Sequence, residues 1–161
     1  MGKRADVVIR RAIEEDTDKI LTLLSEVLEI HAKIRPDIFI SGTTKYTKDQ
    51  LLEMFKDDSK PIFVATDDNE VVGYAFCEFK EQPFSTTMHR FKTLFIDDLC
   101  VDHKLRGQNI GRTLFEYVLK FAKEHDCYDL TLNVWEGNDG AKSFYEKMGM
   151  FPKETQMEII L

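Results

Sequence analysis

Apolar residues recur along the chain with two different periods, and the change from one to the other separates predicted strands from predicted helices. Runs rich in Val, Ile and Phe and bounded by turn residues favour strands. The predicted strands cover residues 7–12, 62–66, 71–81, 93–101 and 127–134, and residues 150–151 and 156–161 are predicted to close the sheet. Asp67 to Glu70 is a turn between two of these runs, which indicates a hairpin.

Apolar residues spaced three and four apart predict the helices. The first begins at Asp16 or Thr17 and ends at Pro36, and the loop over residues 36–46 follows it. The other predicted helices cover residues 47–55, 110–125 and 139–148. Strands and helices then follow in the order βααβββαβαβ. This order predicts an α/β (α+β) fold, in which helices pack on the faces of a mixed sheet.

Composition removes several classes of protein. The 161 residues suit one domain spanning 1–161, and a hydrophobic fraction of 43% excludes intrinsic disorder. With 22 basic and 29 acidic residues, the net charge of −7 argues against binding to nucleic acid and is compatible with a cationic partner. No apolar run is long enough for a membrane helix, and Met1–Asp6 has no apolar segment behind its charges. We therefore expect a cytoplasmic protein without a signal peptide.

Cysteine and histidine spacing offers no metal site or disulfide framework. The three cysteines, Cys77, Cys100 and Cys127, are widely spaced and odd in number, so free thiols are expected. The four histidines form none of the short patterns that bind zinc, and no metal is expected.

The most informative stretch is a strand that runs through a glycine-bearing turn into a long helix, over residues 96–112. Unpaired amides at a helix start, aided by the helix dipole, bind phosphate. Gly107 permits close approach of a ligand, and Arg106 and Arg112 add positive charge. The spacing matches neither a Walker A loop nor the dinucleotide fingerprint. A tight turn with a closely packed helix is the alternative interpretation.

Residues 106–111, Arg-Gly-Gln-Asn-Ile-Gly, resemble the acetyl-CoA motif R/Q-x-x-G-x-G/A of the GNAT superfamily of acetyltransferases. The departure is Asn109, where glycine is usual, and Asn tolerates left-handed backbone angles better than most residues. A second family signature, N-x-x-A-x-x-F-Y-x-x-x-G-F, is similar to residues 138–150, where Met150 replaces the last Phe. Its matching residues are Asn138, Ala141, Phe144, Tyr145 and Gly149.

This resemblance implies a mostly antiparallel sheet of six to seven strands with about four helices and splayed central strands. It also implies direct transfer of acetyl from acetyl-CoA to an amine. Tyr145 is then the candidate acid beside the leaving sulfur, and Asp97 is the candidate base, acting through water. Asp98 competes with Asp97, because successive strand residues face opposite sides unless a bulge intervenes.

The resemblance further assigns the cofactor-binding residues. The strand Leu99–Val101 would line acetyl-CoA by its backbone, Asn138 would bond to pantetheine, and Ala141 is small enough to let it pass. The pyrophosphate would lie on Arg106, Gly107, Gln108, Asn109, Ile110, Gly111 and Arg112. Cys100 suggests an acyl-enzyme, but no histidine stands beside it in sequence, so a small residue lining the ligand is the preferred interpretation.

The amine acceptor remains open between a polyamine, an amino acid, an aminoglycoside-like compound and a peptide. Acids mixed with aromatic residues suit a cationic amine. The residues expected at this end are Glu29, His31, Arg35, Asp37, Phe39, Phe76, Glu78, Phe79, Trp135 and Glu136. A catalytically inactive CoA-binding module is the alternative function, and the sequence leaves a homodimer open.

Overall fold

The computed structural model describes residues 7–81, 83 and 85–161, so Met1–Asp6 and part of the predicted loop over residues 83–90 lie outside the described residues. The strands are β1 (Val7–Arg11), β2 (Ile62–Asp67), β3 (Glu70–Glu81), β4 (Lys92–Val101) and β5 (Asp129–Leu132). The helices are α1 (Thr17–Ile34), α2 (Lys48–Met54), α3 (Ile110–Glu124) and α4 (Asp139–Lys147). None of the helices described is both long and apolar enough to cross a membrane.

The five strands form one sheet in the order β1-β2-β3-β4-β5. All neighbours are antiparallel except β4 and β5, which are parallel because α3 crosses over between them. The predicted hairpin is confirmed: Asp67 pairs with Glu70, and Asp68 and Asn69 take the positive φ angles that a tight turn requires.

Helices cover both faces of the sheet, and each face buries its own apolar cluster. On one face α1 and α2 pack against β2 and β3, with a core of Ile20, Leu23, Leu24, Leu51, Ile62, Val64, Tyr74 and Phe76. On the other face α3 packs against β3 and β4, with a core of Phe63, Cys77, Leu94, Ile96, Leu114, Phe115 and Val118. The mixed, mostly antiparallel α/β fold with four helices is thereby confirmed.

The prediction of six to seven strands is wrong. Residues 150–161 contain no strand, and residues 151–161 are exposed along their whole length. Alternating apolar residues identify a segment suited to a sheet, but a strand forms only where a neighbour supplies hydrogen bonds. Within the described part of the chain, β5 has no neighbour other than β4.

Candidate active site

Strands β4 and β5 separate partway along the sheet, and the opening lies beside the start of α3. Their parallel register runs from Thr93 with Asp129 to Ile96 with Leu132 and ends there. Beyond that point β4 continues to Val101 with β3 as its only partner among the described strands. The β5-facing backbone groups of residues 97–101 are therefore available to an extended ligand. This divergence agrees with the expected splay of the central strands.

The turn between β4 and α3 has the geometry of an anion-binding loop. Gly107 has a φ of 82°, and Asn109 has φ 61° and ψ 14°, both in the left-handed region. The helical bonding starts with the Thr113 amide donating to the Asn109 carbonyl oxygen at 3.0 Å. The preceding amides of residues 110–112 have no intrahelical acceptor, as at every helix start. They and the helix dipole point at one concave turn.

Close packing between α3 and α4 explains the second glycine of the motif. A Cβ at Gly111 would lie 3.3 Å from the Phe144 ring, which is tighter than an ordinary contact. Asn138 begins α4, where its Oδ1 accepts from the Ala141 amide at 3.4 Å. The predicted contact residues of the two motifs therefore lie at the starts of α3 and α4, and these two helices pack against each other at Gly111 and Phe144.

A β-bulge in β4 brings the two competing acids to one side of the sheet. Phe76 opposes Asp98 and Cys77 opposes Ile96, so Asp97 is an extra residue without its own partner on β3. The side chain of Asp98 contacts Tyr74, and that of Asp97 contacts Tyr46, which stacks on Phe76. Sequence alternation had placed the acids on opposite sides, with a bulge as the stated exception, and the structure contains that bulge.

Asp97 is held by two residues that the sequence interpretation missed. The Tyr46 hydroxyl donates to Asp97 Oδ2 at 2.6 Å, and Lys45 Nζ lies 3.0 Å from the same oxygen. Both residues close the loop that precedes Thr47, the N-cap of α2. An aromatic residue at the end of a polar loop was the only sequence signal for Tyr46. An ammonium group thus already occupies a position beside Asp97.

Asp98 is less solvated than Asp97 and differently bonded. The Tyr74 hydroxyl donates to Asp98 Oδ2 at 2.9 Å, and Tyr74 itself is fully buried. Asp98 is half-buried as a residue. Desolvation of its carboxyl raises its pKa to about 6, although the hydrogen bond from Tyr74 acts in the opposite direction and lowers the pKa. This pKa is close to the value that suits a general base working near neutral pH.

The side chain of Tyr145, a residue of α4, packs towards the sheet and contacts the rings of Phe144 and Phe115. Burial raises the pKa of its phenol, and a negative charge on Asp98 raises it further. Tyr145 therefore stays protonated at physiological pH. Burial also raises the pKa of the Cys100 thiol to about 12, which makes this thiol a poor nucleophile.

Only some of the residues expected to bind the amine acceptor lie close together. The ring of Phe39 lies 5.2 Å from His31 and 5.4 Å from Trp135, and Arg35 stands 6.0 Å above the Trp135 ring. These four residues, called here the aromatic wall, join the loop after α1 to the end of β5. Burial lowers the pKa of His31, so its imidazole is neutral at physiological pH.

The other acceptor candidates have structural partners or face elsewhere. Phe79 lies on the α3 face of the sheet against Phe121, away from Asp97. Glu29 accepts from the Ser41 hydroxyl and the Gly42 amide and so fixes the loop. Asp37 is held by Arg35 through two hydrogen bonds, and Glu136 is exposed at 3.9 Å from Lys142.

The splayed central strands beside an open helix start are the fold features that the sequence resemblance predicted for an acyltransferase. A family model described as the acetyltransferase (GNAT) family matches residues 24–150. The chain therefore belongs to the GNAT family of acetyltransferases and is an acyltransferase. Enzymes of this family generally use acetyl-CoA as cosubstrate.

Curated relatives agree with this assignment, and a solved structure shares the fold. A peptidyl-lysine N-acetyltransferase, YjaB of Salmonella typhimurium, is 30% identical over 88% of this chain and 81% of its own length. A thialysine N-epsilon-acetyltransferase of Bos taurus is 29% identical over 90% of this chain and 84% of its own. A mutant of the Bacillus halodurans protein BH1408 superposes with a TM-score of 0.91 at 32% identity, covering 96% of this chain and 99% of that one.

Proposed function

We propose that this chain transfers acetyl from acetyl-CoA directly to the primary amine of a small cationic molecule or a peptide. The observation that carries the proposal is the placement of three features around one opening. These are the unpaired backbone of residues 97–101, the free amides of residues 110–112 and the bulged acid Asp97. They would supply a pyrophosphate site, a pantetheine-binding strand and a site for an ammonium group, in that order along the opening.

Binding of acetyl-CoA would use the backbone more than side chains. The turn over residues 106–112 offers amides to the pyrophosphate, and Arg106 and Arg112 add positive charge. Leu99 to Val101 would pair with the pantetheine amides in the manner of a sheet edge. Asn138 keeps its side-chain amide nitrogen for the ligand, because its helix cap uses only the oxygen.

The amine needs a base that removes its proton, whereas the leaving sulfur needs a hydrogen-bond donor, so different residues would serve the two sides of the reaction. An alkylamine with a pKa near 10 must lose a proton before its nitrogen attacks the thioester carbon. Asp97 would bind the ammonium and accept that proton through water, and Asp98 is the alternative base. A new C–N bond then forms as the C–S bond breaks, the sulfur leaves as a thiolate, and the nitrogen releases its second proton to water or to that thiolate.

Tyr145 would stabilise the leaving thiolate by a hydrogen bond. A thiol has a pKa near 8.5 and the pKa of this phenol is raised above 10, so complete proton transfer to sulfur is unfavourable. A protonated phenol nevertheless donates a strong hydrogen bond to an anion. The buried Cys100 thiol, with its raised pKa, supports direct transfer over an acyl-enzyme.

The contacts of Asp97 favour a cationic acceptor. Lys45 Nζ already lies within hydrogen-bonding distance of Asp97, and an incoming ammonium group would replace it there. Beside it, the aromatic wall offers ring faces to an apolar stem or a second cation. The two relatives named above carry lysine and thialysine in their names, which supports an amine on a flexible stem.

The direct test is release of free CoA thiol from acetyl-CoA in the presence of polyamines, amino acids, aminoglycosides and lysine peptides. We expect thiol release with at least one cationic amine and a matching acetylated product by mass spectrometry. Binding of acetyl-CoA by calorimetry without turnover of any acceptor would favour the CoA-binding module instead. No binding would contradict the proposal as a whole.

Changing Tyr145 to Phe tests the leaving-group role. We expect kcat to fall by about 100-fold, the usual contribution of a positioned proton or hydrogen-bond donor, while the Kd of acetyl-CoA changes little. Tyr128→Phe, at an exposed tyrosine, is the matched control and should leave both unchanged. An unaltered kcat in Tyr145→Phe would remove this phenol from the chemistry.

Changing each acid to its amide assigns the base. We expect Asp97→Asn to lower kcat/KM for the acceptor by about 100-fold and Asp98→Asn by about 10-fold or less. The measurement is kcat/KM from about pH 5.5 to 9 with saturating acetyl-CoA. The opposite ranking, with loss of a limb near pH 6 in Asp98→Asn, would make Asp98 the base.

A further inference from the structure

Lys45 is a lysine of this chain that lies where the amine of an acceptor is proposed to bind. Its Nζ is 3.0 Å from Asp97 Oδ2. Asp97 begins the part of β4 that has no β5 partner, and this is the backbone proposed to hold the thioester end of acetyl-CoA. An ammonium group in contact with the proposed base therefore belongs to the protein itself.

Contacts that do not involve the Lys45 ammonium fix the backbone on both sides of this residue. On one side, Glu29 accepts from the Ser41 hydroxyl and the Gly42 amide. On the other side, Thr47 caps α2 by accepting from the Gln50 amide. The loop is thus anchored at its two ends, and the Lys45 side chain can change its partner without releasing the loop.

Asp97 would keep a hydrogen-bond donor if Lys45 lost its charge. The Tyr46 hydroxyl donates to the same Oδ2 at 2.6 Å, and the Tyr46 ring stacks on Phe76. The Lys45 side chain is 43% exposed, and an ion pair with this exposure is weak. The Lys45 ammonium is therefore free to release a proton and react, while Asp97 stays in position.

The charge of Lys45 reaches both the acids and the aromatic wall. Burial lowers the pKa of His31, and the positive charge of Lys45 lowers it further. Burial raises the pKa of Asp98, and the Tyr74 hydrogen bond and the charge of Lys45 act in the opposite direction. Lys45 thus lies within electrostatic range of the groups that are proposed to surround a cationic acceptor.

We propose that Lys45 is an acetylation site of the chain itself, and that the enzyme transfers acetyl from acetyl-CoA to its own Lys45 when no other amine is bound. This inference rests on the proposed acetyl transfer and adds a lysine of the protein as acceptor. Asp97 takes one proton from the ammonium and passes it to water. The neutral Nζ then attacks the thioester carbon, a C–N bond forms and the C–S bond breaks. The second proton of the nitrogen goes to the leaving thiolate, so the products are acetylated Lys45, CoA thiol and a proton in solution.

Position, and not exposure, distinguishes Lys45 from its neighbour Lys48. Lys48 is also exposed and is the first residue of α2, on the same short segment of chain. Chemical acetylation by dissolved acetyl-CoA would therefore modify both lysines. Transfer within the site favours Lys45 alone, because an amine held beside the base and the thioester reacts in a unimolecular step.

Peptide mass spectrometry of the full chain, before and after incubation with acetyl-CoA alone, tests the proposal. We expect acetyl on Lys45 to accumulate at least about 10-fold faster than acetyl on Lys48. The rate constant should be the same at protein concentrations that differ by about 20-fold, since the transfer is intramolecular. Asp97→Asn should slow the modification of Lys45 by about 10-fold or more, because the base is lost.

Two conservative variants serve as a matched pair. Lys45→Arg keeps a cation beside Asp97 but removes the accepting amine, so it should gain no acetyl on this loop. Lys48→Arg should be acetylated on Lys45 at the wild-type rate. A cationic amine that the enzyme acetylates should slow the modification of Lys45 by about 10-fold at saturation, because both compete for Asp97.

The results also separate this proposal from the proposed function. Thiol release with an added amine, but no acetyl on Lys45, would overturn self-acetylation and leave amine acetylation intact. Equal rates at Lys45 and Lys48, an unchanged rate in Asp97→Asn, or a rate constant that rises with protein concentration would each overturn it as well. No acetyl transfer to Lys45 or to any amine would contradict both proposals.

Discussion

At the scale of single residues, the site depends on two neighbouring acids with different surroundings. Asp97 accepts from Tyr46 and an ammonium group, and Asp98 accepts from a buried tyrosine. The first arrangement pairs a carboxylate with a cation, and the second leaves a carboxylate under-solvated. Both acids could be selected as candidates from the sequence, but the sequence did not show that they lie on the same side of the sheet. Alternation along a strand gives the wrong side for one of them, and only the bulge corrects it.

The desolvation of Asp98 predicts a stability effect opposite to that of most acids. Its folded pKa of about 6 lies above the unfolded value near 3.9, so the folded state binds the proton more tightly. Ionised Asp98 therefore destabilises the fold above about pH 6, and this cost disappears below about pH 4. We expect Asp98→Asn to raise the free energy of unfolding by about 1–3 kcal/mol at pH 7.5.

Urea unfolding of wild type and Asp98→Asn at several pH values measures this difference. It should shrink to near zero at about pH 4, where both side chains are neutral and both can accept from Tyr74. Asp126→Asn is a control at an exposed acid, and it should show no such trend. A destabilised Asp98→Asn at pH 7.5 would show that the negative charge itself is needed for folding.

At the scale of elements, the anion-binding loop over residues 106–112, called here the cradle, depends on backbone conformation at the start of α3. Gly107 and Asn109 both adopt left-handed angles, and this allows the strand to turn into the helix with its first amides facing outward. The sequence predicted this turn because glycine and asparagine are the residues that take those angles at least cost. It also predicted the start of α3 correctly at Ile110.

A methyl group at Gly107 should strain the cradle without a steric clash. Gly107 has φ 82° and nothing within 4 Å of an added Cβ, so Gly107→Ala costs only the backbone term of about 1–2 kcal/mol. Gly149→Ala is matched, with φ 100° and equally open space, but it lies at the far end of α4. We expect similar losses in Tm for both variants.

Only Gly107→Ala should weaken binding of acetyl-CoA, by about 10-fold in Kd measured by calorimetry, because only its backbone would face the pyrophosphate. Equal affinity in the two variants would place the pyrophosphate elsewhere. The comparison thus separates a general effect of a strained turn from a specific role of the cradle.

The elements that local patterns could not predict are those whose partners lie elsewhere. Residues 156–161 have the alternation of a strand and were assigned as one, but a strand also needs an edge to pair with. Tyr46 was missed for a related reason, because its partner, Asp97, is distant in sequence. Local propensity, capping and glycine positions predicted the remaining helices and strands to within a few residues.

At the scale of the whole molecule, the net charge of −7 is distributed unevenly around the cleft. Arg106 and Arg112 lie at the cradle, whereas Glu78, Asp97 and Asp98 lie on β3 and β4, and Glu29 and Asp37 near the end of α1, on the side proposed for the acceptor. Arg35 and Lys45 offset part of that acidity through their ion pairs. The acceptor end still has more acids than bases, so it should attract a cation over several ångströms.

This distribution predicts how the acceptor KM depends on salt. Exposed charges are screened beyond about 10 Å at 0.1 M ionic strength and beyond about 3 Å at 1 M. With acetyl-CoA kept saturating, we expect KM for a diamine acceptor to rise by about 3- to 10-fold between about 0.05 and 0.5 M KCl, with kcat nearly constant.

A monoamine of similar length should show a smaller rise in KM, because it has one charge fewer. Asp97→Asn should flatten the dependence for both acceptors, since Asp97 is the acid that we propose to contact the ammonium. Equal slopes for monoamine and diamine would mean that the acidity of this end does not contribute to substrate capture, and that the aromatic wall selects the acceptor by shape.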